Sequence, residues 1–226
     1  MLPVAILAGG LGTRLYPLTV RIPKALVEIN GEPFLGHQLR LLRARGIEHV
    51  VICIGQHGER IQEFAGDGRL FGLAVDYSAD GPVLLGTAGA IRNALPMLGD
   101  AFFVLYGDSY LPCSYAAVQR AFEDAGQPGL MTVYRNQGRW DTSNVEFSGG
   151  SIVAYDKKNR TAGMQYIDYG LGVFKHEAFD GSHADLAAVY ADLLSTNQLA
   201  AFEVPERFYE IGSFDGIQEL SEYLRT

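Results

Sequence analysis

The chain has 226 residues, with 26 Asp+Glu against 18 Lys+Arg and a net charge of −8, so it holds one large domain or two small ones. Its residues are 48% hydrophobic, enough to bury a core without disulfide or metal staples and too many for a disordered chain. The acidic balance argues against nucleic-acid binding, which calls for a basic patch, yet it leaves room for small anions held by backbone N–H groups and a few placed cations.

Cys53 and Cys113 are far apart, match no zinc-site or CxxC spacing, and fit reduced thiols in a cytoplasmic protein. Residues 1–8 lack the basic start of a signal peptide, and no apolar run is long enough to span a membrane.

In chain order, Val4–Leu7 reads as a buried strand feeding a glycine turn. Residues 34–45 place Leu35, Leu39 and Leu42 at helical spacing, between an opening Pro33 and a closing Gly46. Strands are predicted at 49–54, 73–78, 101–106 and 130–134, and helices at 59–65, 87–95 and 114–125. Strands separated by helices predict a parallel sheet covered on both faces.

After Tyr134 the pattern changes. Short strands at 145–147, 152–156 and 167–174, split by Gly149-Gly150 and the polar stretch 157–163, predict an antiparallel excursion on the substrate side. A helix at 184–195, a strand at 199–204 and a helix at 214–224 complete the reading. There is no repeat, low-complexity tract or long linker, so residues 1–226 are expected to form one domain.

The turn after the first strand, Leu7-Ala8-Gly9-Gly10-Leu11-Gly12-Thr13-Arg14, carries the first chemical signal. Glycines there let successive backbone N–H groups approach a phosphate with no Cβ in the way. The spacing is not that of a P-loop. Leu15 stands where a dinucleotide fingerprint has its third glycine. Two cations close by, Arg14 and Lys24, point instead to a triphosphate or a transferring phosphoryl group. Asp108 ends a predicted strand, where ligands bind in open α/β sheets. Gly86-Thr87-Ala88-Gly89 opens a helix, with Thr87 available as a cap. Trp140 and Tyr169 read equally well as core aromatics or pocket walls.

These residues together (the glycine loop with Arg14, then Pro17-Leu18-Thr19, Pro23-Lys24-Ala25-Leu26 and Gly31-Glu32-Pro33) resemble the signature of the sugar-1-phosphate nucleotidyltransferases. The resemblance runs through most of the chain. It implies a Rossmann-like α/β fold, with a mixed, mainly parallel sheet flanked by helices and a small antiparallel excursion. It implies the reaction NTP + sugar 1-phosphate → NDP-sugar + pyrophosphate, with Mg²⁺ as cofactor. Residues 1–134 would form the nucleotide-binding half and 135–226 the sugar-binding half.

By the same resemblance, Leu7, Ala8, Gly9, Gly10, Gly12 and Thr13 would hold the nucleotide together with Gly86, Thr87 and Ala88 near the base and ribose. Arg14 would steady the leaving pyrophosphate, and Lys24 would bridge the α-phosphate and the sugar phosphate. Asp108 would bind the metal with Glu210, which stands where the family usually has aspartate. Asn144, Lys157, Asp168, Tyr169 and Gly170 would form the acceptor pocket. Asp168 and Tyr169 replace the family's Asn-Ala and suggest a sugar other than plain glucose.

The expected substrates are an NTP and a sugar 1-phosphate, and self-association as a homodimer stays open. The overall run looks most like guanylyltransferases for heptose or mannose 1-phosphate, while uridylyl, cytidylyl and thymidylyl transfer stay open. Two rival classes are a non-catalytic nucleotide-binding relative and a dinucleotide-dependent oxidoreductase. Arg14, Lys24 and Asp108 speak against the first and Leu15 against the second.

Overall fold

Apolar runs rich in Val, Ile, Leu and Phe build the centre of a seven-stranded sheet in the computed structural model, which describes residues 1–10 and 12–225. The chain runs from β1 (Val4–Leu7) through a small hairpin, β2 (Glu28–Ile29) and β3 (Glu32–Pro33), into α1 (Phe34–Ala44). Next come β4 (His49–Ile54), α2 (Gly58–Ala65), β5 (Ala74–Ala79), α3 (Gly86–Leu98) and β6 (Ala101–Tyr106). The middle holds β7 (Ser109–Tyr110), α4 (Tyr115–Ala125), β8 (Gly129–Tyr134), β9 (Val145–Ser148), β10 (Ser151–Tyr155) and β11 (Ile167–Lys175). The last elements are α5 (Leu186–Ser195), β12 (Leu199–Glu203), β13 (Tyr209–Glu210) and α6 (Phe214–Tyr223). Among the described residues no helix is long and apolar enough to cross a membrane.

The sheet order is β12-β8-β11-β6-β1-β4-β5. β6, β1, β4 and β5 pair in parallel, as do β12 and β8, while β11 is antiparallel to both its neighbours. Side-chain alternation divides each strand between two cores. Val4 and Ile6 meet Leu35, Leu39 and Leu42 of α1 and Val118 of α4 on one face. Ala5 meets Ile91 and Ala94 of α3 on the other, where Val189 and Leu193 of α5 extend the layer. A third, smaller cluster joins Leu15, Val27 and Phe34 to Ile211 and Leu220, tying the segment after the glycine loop to α6. Cys53 and Cys113 are free and buried.

The mainly parallel flanked sheet agrees with the sequence reading, with two revisions. β9 and β10 do form the antiparallel excursion as a separate two-stranded sheet, but β11 leaves it and inserts between β6 and β8. The predicted helix at 184–195 begins at Leu186, because the Asp185 side chain accepts from the Ala187 N–H and caps it.

Candidate active site

Two strand ends open the site. The Ala8 N–H donates to Cys53 O and the Gly107 N–H to Leu7 O, so the turns after β1 and β6 lie side by side at the C-terminal edge of the parallel strands. Gly107 is required there, because a Cβ would sit 2.8 Å from the Leu7 carbonyl oxygen. Gln38, buried on α1, straps the same turn. Its Nε2 donates to the carbonyls of Tyr106 at 3.1 Å and Ser109 at 2.8 Å, on either side of Gly107-Asp108.

One cavity runs along this edge. Its walls are Leu7, Ala8, Gly9, Gly10, Gly12 and Thr13 of the glycine loop, Gly86 and Thr87 at the start of α3, and Arg14, Lys24 and Asp108 at its mouth. Ala88 does not line it. It is fully buried, and its N–H donates to Ala184 O. Nor does the Thr87 hydroxyl cap its own helix. It contacts Asp185 and accepts from the Leu186 N–H, joining the first turn of α3 to the start of α5. Asp80, not singled out in the sequence, and Cys53, read there as a reduced thiol with no site role, also face this cavity. Burial raises the Asp80 carboxyl against the opposing effect of the Leu85 N–H, and it pushes the Cys53 thiol up to about 12.

At the mouth, Lys24 Nζ lies 2.5 Å from Asp108 Oδ2 in a partly buried ion pair. Glu210, on β13, is brought to Asp108 by the pairing Glu210↔Ser109. Its Oε2 accepts from the Gly212 N–H at 2.5 Å, and its pKa is raised by burial and by the charge of Asp108. Among the described residues no group of three or more His, Cys, Asp or Glu side chains forms a cation cage. Two carboxylates that repel each other beside a cavity of about 340 Å³ fit a hard cation whose other ligands come from phosphate oxygens and water.

A second cleft continues from Asp108 and Glu210 and takes in Arg14, Tyr106, Asn144, Lys157, Asp168, Tyr169 and Gly170. The β11–β8 register shifts between Asp168 and Gly172, a bulge that turns this stretch toward the cleft. Gly170 has φ +94°, a conformation that favours glycine, and its N–H donates to Asp168 Oδ1. Asn144 Oδ1 accepts from the Asp168 N–H at 2.9 Å. Lys157 Nζ lies 3.6 Å from the buried Asp168 carboxylate. Burial works against the Lys157 ammonium, but Asp168 and Tyr106 outweigh it and hold its pKa above the ordinary value. Tyr169 is also a core residue at 2% exposure, whereas Trp140 is 43% exposed and belongs to neither core nor cleft. Asp141, Thr142 and Arg160 complete this wall and were not picked out in the sequence, where exposed polar residues on loops carry no distinguishing pattern.

Residues 4–201 match the nucleotidyl transferase family. The chain belongs to that family. It is 32% identical over 195 residues to the N-acetylmuramate alpha-1-phosphate uridylyltransferase of Neisseria meningitidis, covering 84% of this chain and 82% of that relative. It is 27% identical over 217 residues to the mannose-1-phosphate guanylyltransferase catalytic subunit beta of Xenopus tropicalis, covering 92% of this chain and 60% of that one. The crystal structure of HddC from Yersinia pseudotuberculosis, complexed with GMP-PN, superposes with a TM-score of 0.83 at 24% identity, over 99% of this chain and 100% of that one. These likenesses to the nucleotidyl transferase family agree with the resemblance read from the glycine loop, Arg14 and Lys24.

Proposed function

We propose that this protein transfers a nucleotidyl group from an NTP to a sugar 1-phosphate, giving an NDP-sugar and pyrophosphate for glycan precursor synthesis. The observation that carries this reading is that Arg14 and Asp108 line both clefts, one bounded by a glycine loop, with Lys24 paired to Asp108 where they meet. A sugar-phosphate oxygen attacks the α-phosphorus, the bond to the β-phosphate oxygen breaks, and pyrophosphate leaves opposite. Both reactants are anions, so positioning and charge neutralisation dominate catalysis.

In this reading the amides of Gly9, Gly10, Gly12 and Thr13 hold the phosphates, and Arg14 steadies the pyrophosphate. Lys24 bridges the two reacting phosphates once it exchanges Asp108 for phosphate oxygen. Asp108 and Glu210 hold Mg²⁺, which supplies positive charge to the reacting phosphates when bound. Residues 1–134 act mainly on the nucleotide and 135–226 mainly on the sugar, with Asn144, Lys157, Asp168, Tyr169 and Gly170 around the acceptor. Guanylyl transfer to a heptose or mannose 1-phosphate is the leading assignment. The mannose-1-phosphate guanylyltransferase relative supports it, and the uridylyltransferase relative makes uridylyl transfer the second reading.

Pyrophosphate release is the test, run with GTP, UTP, CTP and dTTP against a panel of sugar 1-phosphates in Mg²⁺. Release with GTP and a heptose or mannose 1-phosphate is expected. Release confined to another pair moves the substrate assignment, and release with no pair overturns the transfer itself.

A further inference from the structure

Arg207 lies outside both clefts yet connects two segments that wall the acceptor cleft. Its guanidinium carbon sits 3.3 Å from the Trp140 ring centroid and 4.7 Å from that of Tyr209, so the cation lies between two aromatic rings. Its Nη2 pairs with Glu219 of α6. Among the described residues its buried Nε finds no acceptor, so the rings and Glu219 account for its placement. Tyr209 in turn stacks on Tyr223 of α6, with ring centroids 4.3 Å apart.

Each ring belongs to a segment that borders the acceptor cleft. Trp140 precedes Asp141 and Thr142, which line it, and Tyr209 precedes Glu210. The loop carrying Trp140 is folded about the fully buried Asn136. Asn136 Oδ1 accepts from the Trp140 N–H, and its Nδ2 donates to Asp141 O and Ser143 Oγ. Asn136 therefore sets the internal shape of the loop, while Arg207 fixes where the finished loop lies against β13.

We propose that Arg207 is a positioning residue for the acceptor. Clasped between Trp140 and Tyr209, it holds the Asp141–Thr142 wall at a fixed distance from Glu210. The sugar is then gripped between a loop and a strand that, among the described residues, no backbone pairing joins directly. The inference rests on the transfer reading above.

Trp140 is the sole tryptophan of the chain, so its emission reports the clasp without any substrate. Arg207→Ala is expected to shift that emission to longer wavelength, as the ring loses its cover. In steady-state assays Arg207→Ala should raise KM for the sugar 1-phosphate about tenfold, with kcat and KM for the NTP within about twofold. Trp140→Phe keeps a ring and should stay within about threefold of the unaltered enzyme, whereas Trp140→Ala should match Arg207→Ala. The double variant Trp140→Ala/Arg207→Ala should be no worse than either single variant, because one contact is lost in each case.

An unshifted emission, an equal rise in both KM values, or effects that multiply in the double variant would each overturn the role. Should Arg207→Ala fail to fold, Trp140→Ala on the exposed loop carries the same kinetic test. If the unaltered enzyme turns over and the sugar KM does not respond, only the positioning role has failed. If the unaltered enzyme releases no pyrophosphate with any pair, the transfer reading has failed and the acceptor role falls with it.

Discussion

Lys24 and Asp108 form an ion pair across 84 positions of sequence, and in the proposed mechanism the two part before Lys24 serves a phosphate and Asp108 a metal. Lys24→Ala and Asp108→Asn should each lower kcat by about 10²-fold or more, with far-UV circular dichroism unchanged, because in the proposed mechanism the first removes a cation that faces the reacting phosphates and the second a ligand of the Mg²⁺ that neutralises them. Glu210 behaves differently. Its pKa is raised in the folded chain, first by burial and then by Asp108, so folding favours its protonated form. It therefore costs stability above the ordinary carboxylate range, and that cost disappears as pH falls through its raised folded pKa. At pH 7 without metal, Glu210→Gln should melt about 2 °C higher than the unaltered protein. The same variant should bind Mg²⁺ more weakly by calorimetry, while Glu210→Asp should keep the ion. A melting point that falls in Glu210→Gln would show that Glu210 is a structural contact instead.

At the scale of elements, what the sequence disclosed followed from periodicity. α1, α3, α4 and α5 show apolar stripes, and β1, β4 and β6 are short apolar runs beside glycine turns, so their types were legible. β11 was legible as a strand but not in its place, since a period of two says nothing about which edge a strand will join. The bulge at Asp168–Gly172 left only Gly170 as its trace. In the site, the glycine loop, Arg14, Lys24 and Asp108 stood out because cations and a carboxylate beside glycine turns have a chemical purpose. Gln38 left a fainter signal, a polar residue on an apolar helix stripe, and its partners come from around 70 residues away. Gln38→Leu should loosen the Gly107–Asp108 turn. A Mg²⁺ dissociation constant raised about fivefold by calorimetry is the expected result, from the loss of two hydrogen bonds to the turn. An unchanged constant would make Gln38 a packing residue.

Across the whole molecule, the proposed function asks a chain of charge −8 to bind two anions, and the cations that line its clefts for this are Arg14, Lys24, Lys157 and Arg160. Ligands that bind only the folded state stabilise it by mass action. NTP with Mg²⁺ at 100 times its dissociation constant should raise the melting temperature by about 5–10 °C. Excess EDTA should cancel most of that rise, and a rise indifferent to EDTA would place the nucleotide without the metal.

The insertion of β11 also dictates an order of assembly. β6 and β8 are close in sequence, yet neither touches the other in the sheet; each waits for a strand that is synthesised last of the three. A ribosome that has delivered residues 1–166 has released two apolar strands with a slot between them, the kind of open edge that recruits other chains. A fragment ending at residue 166 should therefore bind ANS and aggregate, while the 226-residue chain should not bind ANS. The strand that brings Asp168 to the second cleft is thus also the one whose late arrival joins β8 to β6.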